Sequence, residues 1–151
     1  MDKKQDKILS VNGLTKVFTS GIINKETTTA VKDVSFDMYP GTVLSLIGES
    51  GSGKTTIGNL ILKLLQPTEG KIFYKGKDIT EISKKKEKKE YYRNVQAIFQ
   101  DPFASFNPLY RVDRVFDMIF DSFLDDENKD EIIKYALQDV NLNPESVLGK
   151  F

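Results

Sequence analysis

The 151-residue sequence contains no cysteine and no histidine. The absence of cysteine excludes disulfides, thiolate metal sites and cysteine nucleophiles; it leaves the redox compartment open and fits a cytosolic origin. An excess of charge is also missing, because 22 lysines and arginines balance 22 aspartates and glutamates. A neutral chain has no global attraction to nucleic acid or to an anionic membrane, so its partners must be inferred from individual sites.

Long apolar runs are absent as well. No stretch reaches the roughly 18 apolar residues of a membrane span, and the charged residues 1–7 are not followed by the apolar segment of a signal peptide. Any role at a membrane is therefore expected to come through a partner. The 39% hydrophobic content is sufficient for one soluble domain with a core, or for part of one.

The hydrophobic pattern predicts short strands in several places. Apolar and polar residues alternate at 34–38, as on a half-buried sheet, and an antiparallel start is expected. Residues 43–47 and 95–99 are nearly continuous apolar runs, which are typical of strands buried on both faces. We expect residues 43–47 to form a central strand, and residues 71–74 to form a further strand before a turn.

Helical spacing of apolar residues predicts three helices, at 57–65, at 112–123 and at about 130–140. The lysine-rich run 84–89 is short and contains Glu87. In a neutral chain it is interpreted as a solvated helix face rather than as a nucleic-acid patch.

Between the first apolar run and the first helix stands Gly-Glu-Ser-Gly-Ser-Gly-Lys-Thr, at residues 48–55. Its glycines allow backbone N–H groups to turn inward around a compact anion, and the following helix adds its N-terminal N–H groups and the positive end of its dipole. The motif lies between a predicted buried strand and a predicted helix, and this context disfavours a chance match. The motif predicts binding of a nucleoside triphosphate, ATP with Mg²⁺ being favoured.

Individual residues of this phosphate-binding loop have distinct expected roles. The Lys54 ammonium can reach the β and γ phosphates, the Thr55 hydroxyl is the expected protein ligand for Mg²⁺, and Thr56 can add a phosphate contact. The predicted nucleotide-binding residues of the loop are Gly48, Glu49, Ser50, Gly51, Ser52, Gly53, Lys54, Thr55 and Thr56.

The segments around the loop resemble the ATP-binding subunits of ABC transporters over the whole chain. Blocks in that family's order and spacing stand at residues 31–36, 46–56, 66–72 and 98–108. The last block resembles the branch that imports dipeptides, oligopeptides or nickel, although a leucine is more usual at Phe106 and an arginine at Leu109.

The resemblance implies an α/β fold, the P-loop NTPase fold of an ABC-type nucleotide-binding domain. Residues 1–151 would form the N-terminal part of that domain. Residues 1 to about 100 would hold the ATP-binding core with an antiparallel β subdomain, and residues from about 101 would hold the Q-loop and the start of the helical subdomain.

Two further site residues are implied by the resemblance. Gln100 corresponds to the Q-loop glutamine, which touches Mg²⁺ and its water near the docking place of a membrane subunit. Phe18 falls where the family places an aromatic ring against adenine, a contact that a flat apolar partner favours. As a lone aromatic residue among predicted strands, Phe18 could equally belong to the core.

By the same resemblance the chain is the ATP-binding subunit of an importer that couples ATP binding and hydrolysis to the transport of peptides or nickel. Lys54 and Gln100 would be its catalytic residues. Its expected partners are permease subunits and a second ATP-binding subunit, with no nucleic acid, and its expected place is the cytoplasmic face of the membrane.

Three elements that hydrolysis requires in this family are not found in the sequence. They are an apolar strand ending in Asp-Glu, the Leu-Ser-Gly-Gly-Gln signature and the switch histidine. Residues 118–121 imitate the first, but they continue the helical spacing. We therefore expect the N-terminal portion of a subunit, truncated before the signature and unable to turn over ATP alone.

Two alternatives remain open. The first is a noncatalytic nucleotide-binding or interaction remnant. The second is a GTPase, which is disfavoured because the segment Asn128-Lys129-Asp130-Glu131 places the aspartate of the guanine motif one position out of register.

Overall fold

The computed structural model describes residues 6–21, 25–101, 107, 109–124 and 128–150. The chain divides into two compact units, Met1–Glu87 and Lys88–Phe151. The family-derived division of the ABC domain near residue 100 stays a prediction.

The first unit is built on a four-stranded antiparallel sheet in the order β2-β1-β3-β4. Its strands are β1 Leu9–Ser20, β2 Glu26–Met38, β3 Glu69–Tyr74 and β4 Lys77–Asp78. The antiparallel start and the strand expected at 71–74 are confirmed.

The core of the first unit combines apolar side chains of the sheet with those of helix α1, Lys54–Ile61. Burial of each such side chain contributes roughly 1.5–3 kcal/mol. Helix α1 ends earlier than the apolar spacing predicts, because Lys63 adopts a left-handed backbone with φ 58°. The buried apolar residues of this unit are Leu9, Val11, Leu14, Val31, Ile57, Leu60, Ile72, Ile79 and Ile82.

The two buried strands expected at 43–47 and 95–99 are wrong for this structure. Neither segment is a strand, and the side chains of Val43, Ile47 and Ile98 are almost fully exposed. An apolar run becomes a buried strand only where neighbouring strands pair with it, and the sheet of the described residues contains only β1 to β4.

In the described residues four further helices follow: α2 Lys85–Asn94, α3 Asp113–Phe123, α4 Lys129–Asp139 and α5 Pro144–Val147. Helix α2 crosses the boundary between the units, and the lysines at 84–86 are exposed, as expected for a solvated helix face. The helices expected at 112–123 and 130–140 are confirmed as α3 and α4, and residues 118–121 lie in α3. In the second unit Phe120, Ile133 and Leu137 form a buried cluster.

Helix α5 was missed, although its start carries a sequence signal. The side chain of Asn143 accepts a hydrogen bond from the Glu145 N–H at 3.0 Å, and Pro144 occupies the first turn.

Of the helices in the described ranges, none combines the length and the apolar character that crossing a membrane requires.

Candidate functional site

Gly53 brings the phosphate-binding loop against strand β2. Its φ is 90°, and a Cβ at this position would overlap the carbonyl oxygen of Ala30 and lie 3.3 Å from the Val31 side chain. Glycine is the residue that combines this left-handed backbone with so close an approach. The last glycine of the motif therefore fixes the loop to the sheet.

The Lys54 ammonium lies against the loop's own oxygens. Its Nζ donates to the carbonyl oxygens of Gly48 and Glu49, each at 2.6 Å, and to Ser52 Oγ at 3.1 Å. The loop is tightly wound here, since a Cβ on Gly48 would lie 2.6 Å from Ser52 Oγ, and Gly51 has φ 81°. The cation is thus held within the turn where an incoming phosphate would meet it.

Helix α1 begins directly behind this cation. Gly53 is its N-cap and provides no side-chain hydrogen bond, and the first turn contains no acidic residue. The N–H groups of the first turn and the positive end of the helix dipole are therefore not compensated by a capping side chain, which favours an anion. Thr55 and Thr56 lie in this same turn and offer hydroxyl oxygens, Thr55 being exposed.

These features fit a triphosphate with Mg²⁺. The loop and the start of α1 supply backbone donors, Lys54 supplies a cation, and the Thr55 hydroxyl oxygen is the kind of hard ligand that Mg²⁺ takes together with phosphate oxygens and water. The roles of Glu49, Ser50 and the other loop residues in binding stay predictions.

Phe18 lies near the place where the loop contacts the sheet. On β1, Phe18 pairs with Thr28 of β2, two residues from Ala30, which Gly53 contacts. The Phe18 side chain is 40% exposed. This exposure excludes the core interpretation, while stacking on adenine stays a prediction.

Gln100 lies in the second unit and is exposed, immediately after the apolar segment 95–99. Its role at Mg²⁺ stays a prediction. Residues 102–106 and 108 of the same sequence block, Phe106 among them, lie outside the described residues.

Sequence reasoning missed Lys16, whose ammonium lies 5.1 Å from the centre of the Phe18 ring. The same Nζ donates to the carbonyl oxygen of Gln66 at 2.7 Å. The second contact joins residues fifty positions apart, so no local motif reveals it.

Known proteins confirm the family. A family model described as ABC transporter matches residues 31–149. The oligopeptide transport ATP-binding protein AppF of Bacillus subtilis is 43% identical over 108 residues, which cover 69% of this chain and 33% of that protein. A putative peptide import ATP-binding protein of Brucella ovis is 46% identical over 101 residues, covering 67% of this chain and 31% of that protein. The chain thus spans about a third of the length of these relatives.

Solved structures show the same fold. The dimeric post-hydrolysis state of the ATP-binding cassette MJ0796, bound to ADP and Pi, matches with a TM-score of 0.76 at 23% identity, over 94% of this chain and 61% of that chain. The structure of cbiO1 from Clostridium perfringens, which is part of an ABC transporter complex, matches with a TM-score of 0.68 at 23% identity, over 95% of this chain and 53% of that chain. The chain therefore belongs to the ABC transporter family, and its fold is that of the N-terminal part of an ATP-binding cassette.

Proposed function

We propose that the chain binds ATP with Mg²⁺ through residues 48–56 and serves as ATP-binding part of an importer. The observation that carries this proposal is the Lys54 ammonium, held inside the loop at the start of α1, where no side chain caps the helix. A cation, convergent backbone donors and a helix N-terminus together form a site for a compact polyanion. Family membership adds that the nucleotide is ATP.

Each site residue is proposed to contact a different part of ATP or its Mg²⁺. On entry of ATP, Lys54 exchanges the carbonyl oxygens of Gly48 and Glu49 for oxygens of the β and γ phosphates. Thr55 would be a protein ligand of Mg²⁺, and the resemblance to the family assigns Gln100 to the same ion. The metal would supply positive charge against the phosphates. Thr56 adds a phosphate contact, and Phe18 stacks on the adenine ring.

Catalysis in the complete subunit would use Lys54 and Gln100 together with groups that these 151 residues do not contain. Phosphoryl transfer depends on positioning the water and on stabilising the charge of the transition state. Lys54 would place a positive charge beside the γ phosphate, and Gln100 would contact Mg²⁺ and its water, as the resemblance implies.

The transported substrate is proposed to be a peptide, with nickel as the alternative from the same branch. Support for a peptide comes from the two similar proteins described above, which are named for oligopeptide transport and peptide import. The partners would be permease subunits and a second ATP-binding subunit, which would hold the chain at the cytoplasmic face of the membrane.

Titration calorimetry of the chain with ATP and Mg²⁺ tests the binding site. We expect Lys54→Ala to abolish measurable binding, because it removes the cation that faces the phosphates. Lys75→Ala is the matched control, because it removes the same charge from the turn after β3. There the Lys75 N–H donates to the carbonyl oxygen of Ile8, just before β1 and at the opposite end of that strand from Phe18. Equal ATP affinity of wild type and Lys54→Ala would reject the proposal.

A further inference from the structure

The ammonium of Lys16 covers one side of the Phe18 ring. Its Nζ lies 5.1 Å from the ring centre, within the range of a cation–π contact. The side chain is held at its far end as well, because Nζ donates to the Gln66 carbonyl oxygen at 2.7 Å. Phe18 nevertheless remains 40% exposed, so the ring keeps a surface open to a ligand.

The segment that holds Lys16 is itself tied to β1. The Thr68 N–H donates to the Thr15 carbonyl oxygen at 2.8 Å, and the Val17 N–H donates to Thr68 Oγ at 3.0 Å. These bonds bracket Lys16 on both sides. The Gln66 carbonyl oxygen therefore occupies a fixed position relative to the strand that carries Phe18.

The same segment leads back to the phosphate-binding loop. Gln66 follows the end of α1, and its Oε1 accepts a hydrogen bond from Lys63 Nζ at 3.3 Å. The other end of α1 carries Lys54. A single helix thus connects the residue that faces the phosphates with the segment that anchors Lys16.

We propose that Lys16 is a positioning residue for the nucleotide base: it fixes the Phe18 ring so that the open face of the ring meets the adenine of bound ATP. This inference rests on the proposed binding of ATP at residues 48–56. An exposed aromatic side chain that moved freely would lose that freedom on stacking. The Lys16 contact imposes the order before the ligand arrives.

Two variants of Lys16 separate its charge from its bulk. Lys16→Met removes the cation and keeps an unbranched side chain, whereas Lys16→Arg keeps a cation that can both stack on a ring and donate to a carbonyl oxygen. Titration calorimetry with Mg²⁺ then compares ATP with tripolyphosphate, which has no base. We expect Lys16→Met to weaken ATP binding about two- to fivefold and to leave tripolyphosphate binding unchanged. Lys16→Arg should bind ATP with the affinity of the wild type.

A matched control exists at the other end of the sheet. Lys75 Nζ lies 5.3 Å from the centre of the Tyr74 ring, a similar cation–π pair away from the loop. Lys75→Met should leave the affinity for ATP and for tripolyphosphate unchanged. Tripolyphosphate binding by each variant also shows that its phosphate-binding loop is folded.

The outcomes distinguish this inference from the proposed function. Phe18→Ala should weaken ATP binding, and the double variant Lys16→Met/Phe18→Ala should bind ATP no more weakly than Phe18→Ala alone. Equal losses for ATP and tripolyphosphate in Lys16→Met, or no loss for ATP while Phe18→Ala shows one, would overturn the inference and leave ATP binding standing. An unchanged ATP affinity in Phe18→Ala would overturn base stacking together with the role of Lys16. Failure of the wild type to bind either ligand would overturn the proposed function itself.

Discussion

At the scale of single residues, Gly53 has the most demanding geometry of the loop. Gly53→Ala should lower the free energy of unfolding by about 1–3 kcal/mol, the cost of a left-handed backbone for a residue with a Cβ. The loss should be larger still because the new methyl group would overlap the Ala30 carbonyl oxygen. Urea unfolding measures the change.

The control for Gly53 lies in the helix that Gly53 caps. Gly58 is inside α1, and a Cβ built on it meets no atom within 4 Å. Gly58→Ala should therefore raise stability by roughly 0.5–1 kcal/mol, the usual difference between glycine and alanine in a helix. Equal stabilities of the two variants would show that the Gly53 contact with β2 is not present in solution.

Residues of the loop could be predicted because their spacing is itself the signal. Gly53 and Lys54 follow from the motif, since the turn needs a residue without a Cβ and a phosphate needs a cation. Lys16 could not be found in this way, because its partner Gln66 is brought to it by the pairing of β1 with β3. The sequence contains both residues but not their proximity.

At the scale of elements, the apolar segment 43–47 gives the sharpest test. Its Ile47 side chain is 95% exposed, whereas Ile72 of β3 is fully buried. Ile47→Ala should change the free energy of unfolding by no more than about 0.5 kcal/mol, and Ile72→Ala should lower it by about 2–5 kcal/mol. Comparable losses would instead place residues 43–47 in a buried strand, as their apolar pattern predicts.

The same segment shows where pattern reading fails. An apolar run reports what a segment can bury, not whether neighbours are present to bury it. Helices α1, α3 and α4 were predictable because each forms its own hydrogen bonds, and their apolar spacing only decides which face packs. Strands at 43–47 and 95–99 would instead depend entirely on hydrogen bonds to neighbouring strands.

Asp113 links the start of α3 to the end of the chain. The Gly149 N–H donates to the two carboxylate oxygens of Asp113 at 2.9 and 3.2 Å, and the Arg111 guanidinium lies 2.5 Å from one of them. These contacts hold the pKa of Asp113 below its usual value, although burial opposes the shift. A lowered pKa in the folded state contributes stability that is complete above the unfolded value of about 3.9 and is lost as the pH falls through the folded value.

Asp113→Asn should therefore be less stable than wild type near neutral pH, and the difference should shrink as the pH is lowered past 4 or so. Urea unfolding at a series of pH values measures both curves. A difference that stays constant down to the most acidic point would assign the stabilisation to something other than this carboxylate.

At the scale of the whole molecule, binding and hydrolysis should separate. The sequence contains the phosphate-binding loop but no histidine and no Leu-Ser-Gly-Gly-Gln signature, and its pattern predicts no apolar strand ending in Asp-Glu. A bound triphosphate gains little acceleration without groups that orient the attacking water. In the presence of Mg²⁺, the purified, monodisperse chain should release phosphate from ATP no faster than the Lys54→Ala variant does. Steady Mg²⁺-dependent turnover that disappears in Lys54→Ala would contradict this expectation.

The central claim is that residues 48–56 hold the triphosphate of ATP and that Phe18 lies beside its base. The most direct measurement is a titration of the chain with Mg²⁺ and a nonhydrolysable ATP analogue, followed through assigned NMR signals of the backbone amides. We predict that the largest shifts occur at residues 48–56 and at Phe18, and that they vanish in Lys54→Ala. Saturable binding whose largest shifts fall in helices α3 to α5, with residues 48–56 unchanged, would contradict the account.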